Sequence, residues 1–218
     1  MEKDKIKKSY RSSKDIYDNV LTQDKWWSKL YIRLFWSGVE DKEIAKKVLA
    51  YIPDNFDGSL LDVPVGTGIF TFPKYTILKN AKIHGLDYSP DMLEKAQKRF
   101  LDLNNITLQQ GDVGNLPFSD ETFDIVISMN GFHAFPDIDK AYEEIFRVLK
   151  QNGLFIACYY VKGKSMITDI LVHSFLSKKG WFTPPFETVD MVKSRVEKMY
   201  TDMEMHCEGS ILYFKARK

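Results

Sequence analysis

Cysteine is scarce in this sequence of 218 residues, which contains only Cys158 and Cys207. Two cysteines far apart in the chain provide neither a disulfide framework nor the ligand spacing of a zinc site. The histidines and acidic residues also lack metal-ligand spacing, so we expect no metal ion. This cysteine usage suits a reducing compartment, and we expect a cytoplasmic protein.

A basic excess is missing as well, because 31 Lys and Arg residues stand against 30 Asp and Glu residues. Proteins that bind nucleic acid show a positive excess or a clustered basic patch, so we expect no nucleic-acid partner. No long apolar run follows the charged first residues. We therefore expect no signal peptide, no membrane-spanning helix and no stable membrane association.

What the sequence does contain is a regular alternation of strand and helix patterns, which predicts a parallel, doubly wound α/β sheet. The two segments Met203–Cys207 and Ser210–Lys215 face each other across Glu208-Gly209 and predict an antiparallel hairpin at one edge. The predicted parallel strands are Leu60–Asp62, Lys82–Asp87, Ile106–Gln110, Phe123–Met129 and Leu154–Tyr160. Two predicted helices begin at Asp41 and at the cap Ser89. Three more are predicted over Ile138–Lys150, Ser165–Ser177 and Thr188–Tyr200.

The first strand runs into a turn with two glycines, Gly66 and Gly68. Glycine has no Cβ and adopts positive φ without strain, so a ligand can lie directly against the backbone there. A helix should follow, with Pro73 close enough to its start to be tolerated in the first turn. A glycine turn alone is a weak signal, since many structural strand–helix turns look the same.

Polar residues stand at the carboxyl ends of four successive strands: Asp62, Asp87, Asp112 and Asn130. Ligands of open α/β sheets bind at that edge, where the strand order reverses. A carboxylate after the second strand suits a ribose, because it can accept from two hydroxyl groups. Asp112 can accept from an exocyclic amine while Met92 and Val113 cover a ring. Together these residues predict an adenosine site, although each acid alone is more often a turn former.

Four motifs give the chain a family resemblance. Asp62-Val63-Pro64-Val65-Gly66-Thr67-Gly68, Gly85 to Leu93, Gly111 to Phe118 and Phe123-Asp124 resemble the class I S-adenosylmethionine-dependent methyltransferases, and Arg147-Val148-Leu149-Lys150 with Gly153 extends the match. The most similar branch includes the ubiquinone and menaquinone biosynthesis methyltransferases. The resemblance covers residues 62–160 and implies a Rossmann-like sheet, S-adenosylmethionine as cofactor and S-adenosylhomocysteine as product. The cofactor-binding residues that it implies are Asp62, Val63, Pro64, Gly66, Gly68, Asp87, Tyr88, Ser89, Met92, Gly111, Asp112, Val113, Met129 and Asn130.

Pro64 departs from the family pattern, which usually has glycine there. Proline lacks an N–H group, so the loop must bind the cofactor without a donor at this position. A nicotinamide-dependent dehydrogenase is the nearest enzymatic alternative, but its fingerprint needs a third glycine where this chain has Thr71 or Phe72. A cofactor-binding regulatory or scaffold protein without turnover is the alternative from another class.

The acceptor is expected to be a small molecule, since Met129-Asn130-Gly131-Phe132 lacks the Asn-Pro-Pro-aromatic signature of nucleic-acid amine methyltransferases. We hypothesise that His133 takes a proton from the acceptor; the alternative is a histidine that only hydrogen-bonds its loop. We expect residues 1–57 to form a helical lid and residues 58–218 the methyltransferase domain, as a monomer or homodimer. The aromatic residues of the lid segment favour an apolar or aromatic acceptor, and membrane docking or simple core packing are the other uses of such residues. The predicted acceptor and lid residues are Tyr17, Trp26, Tyr31 and Tyr159.

Overall fold

The computed structural model describes residues 41–218. The strands are β1 (Ser59–Asp62), β2 (Lys82–Asp87), β3 (Ile106–Gln110), β4 (Phe123–Met129), β5 (Leu149–Tyr160), β6 (Thr201–Glu208) and β7 (Ile211–Arg217). The helices are α1 (Asp41–Leu49), α2 (Phe72–Tyr75), α3 (Pro90–Arg99), α4 (Ile138–Val148), α5 (Met166–Leu171) and α6 (Val189–Met199), with a π-helical turn over Val172–Leu176 directly after α5.

The described strands form one seven-stranded sheet in the order β3-β2-β1-β4-β5-β7-β6. Strands β1 to β5 pair in parallel, whereas β7 is antiparallel to both β5 and β6. The predicted fold class is therefore confirmed, including the C-terminal hairpin. The hairpin turn contains Gly209 at φ 56°, a conformation that glycine adopts without strain.

Alternate residues of the central strands contribute to two separate cores, one on each face of the sheet. Leu60, Ile127 and Ile156 pack into the first core with α1 and α3. Leu61 and Val126 point to the second core, which includes the inner residues of α4 and α6. Because both faces are covered, these strands are apolar on both sides, as their near-continuous hydrophobic sequences predict.

Helix α1 packs on the first core through Ile44 and Val48, and Ile52 joins the same core three residues after the helix ends; periodicity places these three residues inward. This helix falls inside residues 1–57, which are predicted to form a lid. Helix α1 instead packs on one face of the sheet and belongs to the core of the domain. The remainder of that segment, with Tyr17, Trp26 and Tyr31, lies outside the described residues.

Two boundaries differ from the sequence-based expectation. Helix α4 ends at Val148, and β5 begins at Leu149 instead of Leu154. The reason is pairing: Phe123 of β4 aligns with Leu149 before the register shifts at Ile125. Helix α2 is only four residues long and has Pro73 in its first turn.

Candidate functional site

A cleft lies where the strand order reverses, at the carboxyl ends of β1 and β4. The chain runs from β1 outward through β2 and β3, and then returns to place β4 on the other side of β1. The loops after β1 and β4 consequently diverge, which leaves a crevice at this edge of the sheet. The cleft encloses about 1140 Å³, part of it open to solvent.

The glycine loop after β1 forms one wall of the cleft. Gly66 has φ 55° and its missing Cβ would point into open space, so a ligand can approach the backbone there. Gly68 has φ 70°, and a Cβ on it would come within 2.2 Å of the Phe100 ring. One glycine therefore keeps the cleft open, and the other lets α3 pack tightly beneath the loop.

Three hydrogen bonds hold this loop in place. The Gly66 N–H donates to Asp87 Oδ2 at 2.8 Å, and the Arg99 Nε–H donates to the Thr67 carbonyl at 2.8 Å. The Val65 N–H donates to the Leu86 carbonyl at 2.9 Å. These three hydrogen bonds tie the loop to β2 and α3.

Asp62, the last residue of β1, has a buried side chain, and only one of its two carboxyl oxygens accepts a clear hydrogen bond. The Tyr75 hydroxyl donates to its Oδ2 at 2.8 Å. Its Oδ1 and the neighbouring Thr71 Oγ1 make no hydrogen bond of regular geometry among the described residues. Burial raises the pKa of Asp62 to about 7, although the adjacent hydroxyl groups of Tyr75 and Thr71 oppose the shift. An unpaired buried carboxylate oxygen is a place for a cationic donor from a ligand.

Asp87, the last residue of β2, is held by backbone donors. Its Oδ1 accepts from the Ser89 N–H at 2.8 Å, and its Oδ2 accepts from Gly66. Burial raises the pKa of Asp87 to about 6, while these backbone hydrogen bonds favour the charged form. Each carboxylate oxygen has a second lone pair, so the fixed carboxylate can also accept from ligand hydroxyl groups.

The turns after β3 and β4 complete the cleft. The Gly114 N–H donates to Asp112 Oδ1 at 3.0 Å, which fixes that carboxylate within its turn. Val113 and Met92 are buried beside it and provide apolar surface for a flat ring. Asn130 follows β4 with φ 56°, a conformation that asparagine tolerates better than most residues.

The predicted cofactor-binding residues converge on this cleft, except Gly111. A Cβ at Gly111 would come within 2.7 Å of the Leu86 side chain, so this glycine leaves space for Leu86 and does not line the cleft. Part of the wall was not predicted from the sequence, because most of its residues are apolar or small and belong to no polar pattern. The missed lining residues are Val65, Thr67, Ile69, Phe70, Thr71, Leu86, Ala134, Phe135 and Pro136.

His133, the proposed base, is buried behind the cleft wall and is not a lining residue. Its ring stacks on Phe182 with centroids 4.0 Å apart, and its Nδ1 accepts from the Tyr160 N–H at 3.3 Å. Burial lowers its pKa to about 3, so the imidazole is neutral and carries its proton on Nε2. Because Nδ1 already accepts this hydrogen bond, the ring has no lone pair left to take a proton from an acceptor. The geometry therefore favours the alternative, in which His133 only hydrogen-bonds and holds its loop in place.

Tyr159, the proposed acceptor residue on β5, also lies away from the cleft wall. Its hydroxyl is 2.8 Å from the Tyr142 hydroxyl and donates to Glu187 Oε2 at 3.2 Å. Glu187 in turn accepts from the Arg195 Nε–H at 3.1 Å. These contacts join β5, α4 and α6, so in this arrangement Tyr159 stabilises the second core.

The charge of the cleft distinguishes between possible ligands. Of the described residues that line it, three are aspartates and none is Lys, Arg or His. An acidic wall favours a ligand with positive groups, such as a sulfonium and an α-ammonium, and it repels the pyrophosphate of a dinucleotide. Among residues 41–218, no cluster of His, Cys, Asp and Glu is arranged to hold a metal ion.

The fold and the cleft are those of the class I S-adenosylmethionine-dependent methyltransferases. A solved structure of this class from Thermotoga maritima, described as a possible histamine N-methyltransferase, superposes with a TM-score of 0.70. It is 18% identical in sequence, and the alignment covers 98% of this chain and 99% of that one. The family model described as "Methyltransferase domain" matches residues 55–211, and the chain belongs to this family.

Curated relatives include enzymes that are named for quinone methylation. The demethylmenaquinone methyltransferase of Staphylococcus epidermidis is 38% identical over 97 residues, which cover 44% of this chain and 40% of the relative. The ubiquinone/menaquinone biosynthesis C-methyltransferase of Rickettsia prowazekii is 35% identical over 123 residues, covering 52% of this chain and 48% of the relative. The matches thus span less than half of the length of these relatives.

Proposed function

We propose that the protein binds S-adenosylmethionine in the cleft and transfers its methyl group to a small, apolar molecule. The observation that carries this proposal is the acidic cleft with the unpaired Oδ1 of Asp62 at its base. The ligand's α-ammonium group would satisfy that oxygen, and its sulfonium would be attracted by the neighbouring carboxylates. The cofactor supplies an electrophilic methyl group, which needs no metal ion.

The residues of the cleft fit the parts of this cofactor. Asp62 and the open backbone at Gly66 suit the methionine end, and Asp87 is fixed where it can accept from both ribose hydroxyls. Asp112 can accept from the adenine amine, with Val113 and Met92 against the ring. The protein's part in an in-line displacement is to align the two reactants and exclude water.

The acceptor is proposed to be apolar or aromatic because much of the cleft wall is apolar. Ile69 and Phe70, which follow β1, and Phe135 and Pro136, which follow β4, line the cleft. Relatives named for demethylmenaquinone and for ubiquinone and menaquinone act on molecules of that character. The same cleft without turnover would describe a regulatory cofactor-binding protein, and this remains the second candidate.

We also propose residues 58–218, with α1 packed on their first core, as the catalytic domain, covered by a lid from the residues before α1. The net charge of +1 and the acidic cleft support a small-molecule acceptor over a nucleic acid. A cytoplasmic monomer or homodimer is the proposed working form, which light scattering after gel filtration would test. None of the helices in residues 41–218 is long and apolar enough to cross a membrane.

Calorimetry tests cofactor binding directly. We expect the protein to bind S-adenosylmethionine and S-adenosylhomocysteine, but not NAD. Asp87→Ala should weaken binding by roughly 1.5–3 kcal/mol, the range for hydrogen bonds to a charged group. Asp102→Ala is the matched control, because this exposed aspartate lies outside the cleft wall. No heat with either sulfur nucleoside, or equal effects of the two substitutions, would contradict the proposal.

Turnover separates the two candidate functions. A radiolabelled methyl group should appear in an organic extract when the protein is incubated with labelled cofactor and a reduced quinone analogue. Asp62→Asn and Asp87→Ala should reduce this transfer at subsaturating cofactor. Tight cofactor binding with no transfer to any of a panel of quinols, phenols and amines would favour the regulatory protein.

A further inference from the structure

The segment that follows β5 carries an unusual outer surface. Its inner side is formed by Thr168, Val172 and Leu176, which are buried and spaced four residues apart across α5 and the π-helical turn. The opposite side holds four large apolar side chains that face solvent. These are Met166 at 77% exposure, Ile167 at 62%, Ile170 at 56% and Phe175 at 49%.

In an ordinary surface helix the side away from the core is polar, whereas here that side is apolar. Single exposed apolar residues are common, but four large ones within ten positions, here called the apolar patch, indicate an interaction site. Apolar side chains on the outer side of a helix can lie in the headgroup region of a lipid bilayer, as they do in interfacial helices.

Lysines flank the apolar patch at both ends: Lys162 and Lys164 precede it, and Lys178 and Lys179 follow it. The acidic residue Asp169 is turned inward, where it accepts from the Tyr160 hydroxyl at 2.6 Å and from the Gly163 N–H at 2.9 Å. The patch therefore has a positive rim in a chain with a net charge of only +1. That charge complements an anionic lipid surface.

The patch is also joined to the wall of the cleft. The segment that follows it reaches back to the loop after β4, where the Thr183 N–H donates to the His133 carbonyl at 2.8 Å and the Thr183 hydroxyl to the Ala134 carbonyl at 3.1 Å. Ala134 and the next two residues line the cleft. The segment after the patch therefore connects it to the cleft wall, and this connection would bring an acceptor dissolved in a bilayer towards the cleft.

We propose that α5 and the π-helical turn form a peripheral docking surface for an anionic lipid bilayer. The apolar side chains of Met166, Ile167, Ile170 and Phe175 enter the headgroup region, and the flanking lysines contact the lipid phosphates. This attachment is reversible, and it differs from the sequence-based expectation of no stable membrane association. The purpose of the surface rests on the proposed apolar acceptor, while the surface itself is a property of the described fold.

Vesicle sedimentation of the full-length protein tests the proposal. We expect binding to vesicles of equal phosphatidylglycerol and phosphatidylcholine, weak binding to pure phosphatidylcholine, and release at high salt. Ile167→Asn combined with Ile170→Asn should weaken binding by about tenfold or more, because apolar insertion is lost. Lys164→Gln with Lys178→Gln should weaken it on anionic vesicles only. Leu101→Asn is the control, since Leu101 is apolar and exposed outside this patch.

Other occupants of the surface predict different results. If a second copy covered it, the wild-type protein would form a dimer that Ile167→Asn/Ile170→Asn abolishes, and vesicle binding would be absent. If the protein's own first 40 residues covered it, hydrogen exchange in residues 166–176 would be slow without lipid. Either result, or equal vesicle binding by the patch variant and Leu101→Asn, would overturn the proposal. Cofactor calorimetry on the same proteins keeps this outcome separate from a failure of the proposed function.

Discussion

Replacing Asp62 by asparagine should make the protein more stable at pH 8 and a weaker binder of its cofactor. The folded-state pKa of about 7 lies above the ordinary value of 3.8, because the carboxyl group is fully buried. The folded protein therefore retains a proton that the unfolded chain releases between pH 4 and pH 7. Folding stability is consequently lost as the pH rises through that window, and it levels off above pH 7.

The size of the effect follows from the shift. At 1.36 kcal/mol per pKa unit, ionising Asp62 at pH 8 lowers the free energy of unfolding by at most about 4 kcal/mol. The asparagine side chain of the variant would avoid this loss but would bind the Tyr75 hydroxyl less strongly than a carboxylate does, and it would leave an amide donor unpaired. A net gain of roughly 1–2 kcal/mol remains, which corresponds to about 2–8 °C in melting temperature for a chain of this size.

The assay is thermal or urea unfolding of wild type and Asp62→Asn at pH 5 and pH 8, without ligand. The free-energy advantage of the variant should fall by on the order of 2 kcal/mol at pH 5, where the folded wild type is protonated, and so disappear or reverse. Cofactor affinity should fall about tenfold or more, because a charge-assisted hydrogen bond is lost. Asp102→Asn, at an exposed site, should change neither quantity. A variant that is less stable than wild type at pH 8, or equally shifted at both pH values, would refute this reasoning.

Two further predictions concern His133 and the lid. His133→Ala should lower the melting temperature, because it removes the stacking on Phe182 and the acceptor for the Tyr160 N–H, while kcat changes less than about tenfold; a loss near 100-fold in kcat with unchanged stability would instead support a base. For the lid, hydrogen exchange in residues 10–36 should slow when cofactor binds, and deletion of residues 1–22 should weaken cofactor affinity; identical exchange with and without cofactor would argue against it.

The sheet and the polar half of the site were predictable from local sequence, because both are encoded by neighbours in the chain. Asp62 and Asp87 follow apolar strands directly, and parallel strands bring their carboxyl ends to one edge. The cap of α3 was equally local, since the Ser89 side chain accepts from the Met92 N–H as its position before Pro90 predicts. The hairpin was predictable from the Glu208-Gly209 turn between two short strand-like segments.

The remaining features depend on contacts between distant residues. The environment of His133 is determined by Phe182, 49 positions away, and its burial removes the basicity that a base needs near neutral pH. The apolar wall around Phe135 carries no polar signature that distinguishes it from core. The start of β5 at Leu149 depends on pairing with Phe123, which overrides the helical pattern of the preceding residues.

The anchoring of the glycine loop has a consequence for how the protein recognises its ligand. Because Asp87, Arg99 and the ring of Phe100 already fix the loop, little backbone entropy remains to be lost when a ligand arrives. Such preorganisation means that each new hydrogen bond contributes nearly its full strength to affinity. It also means that the loop discriminates by shape: a ligand whose polar groups do not match these fixed positions gains nothing from adjustment and is rejected.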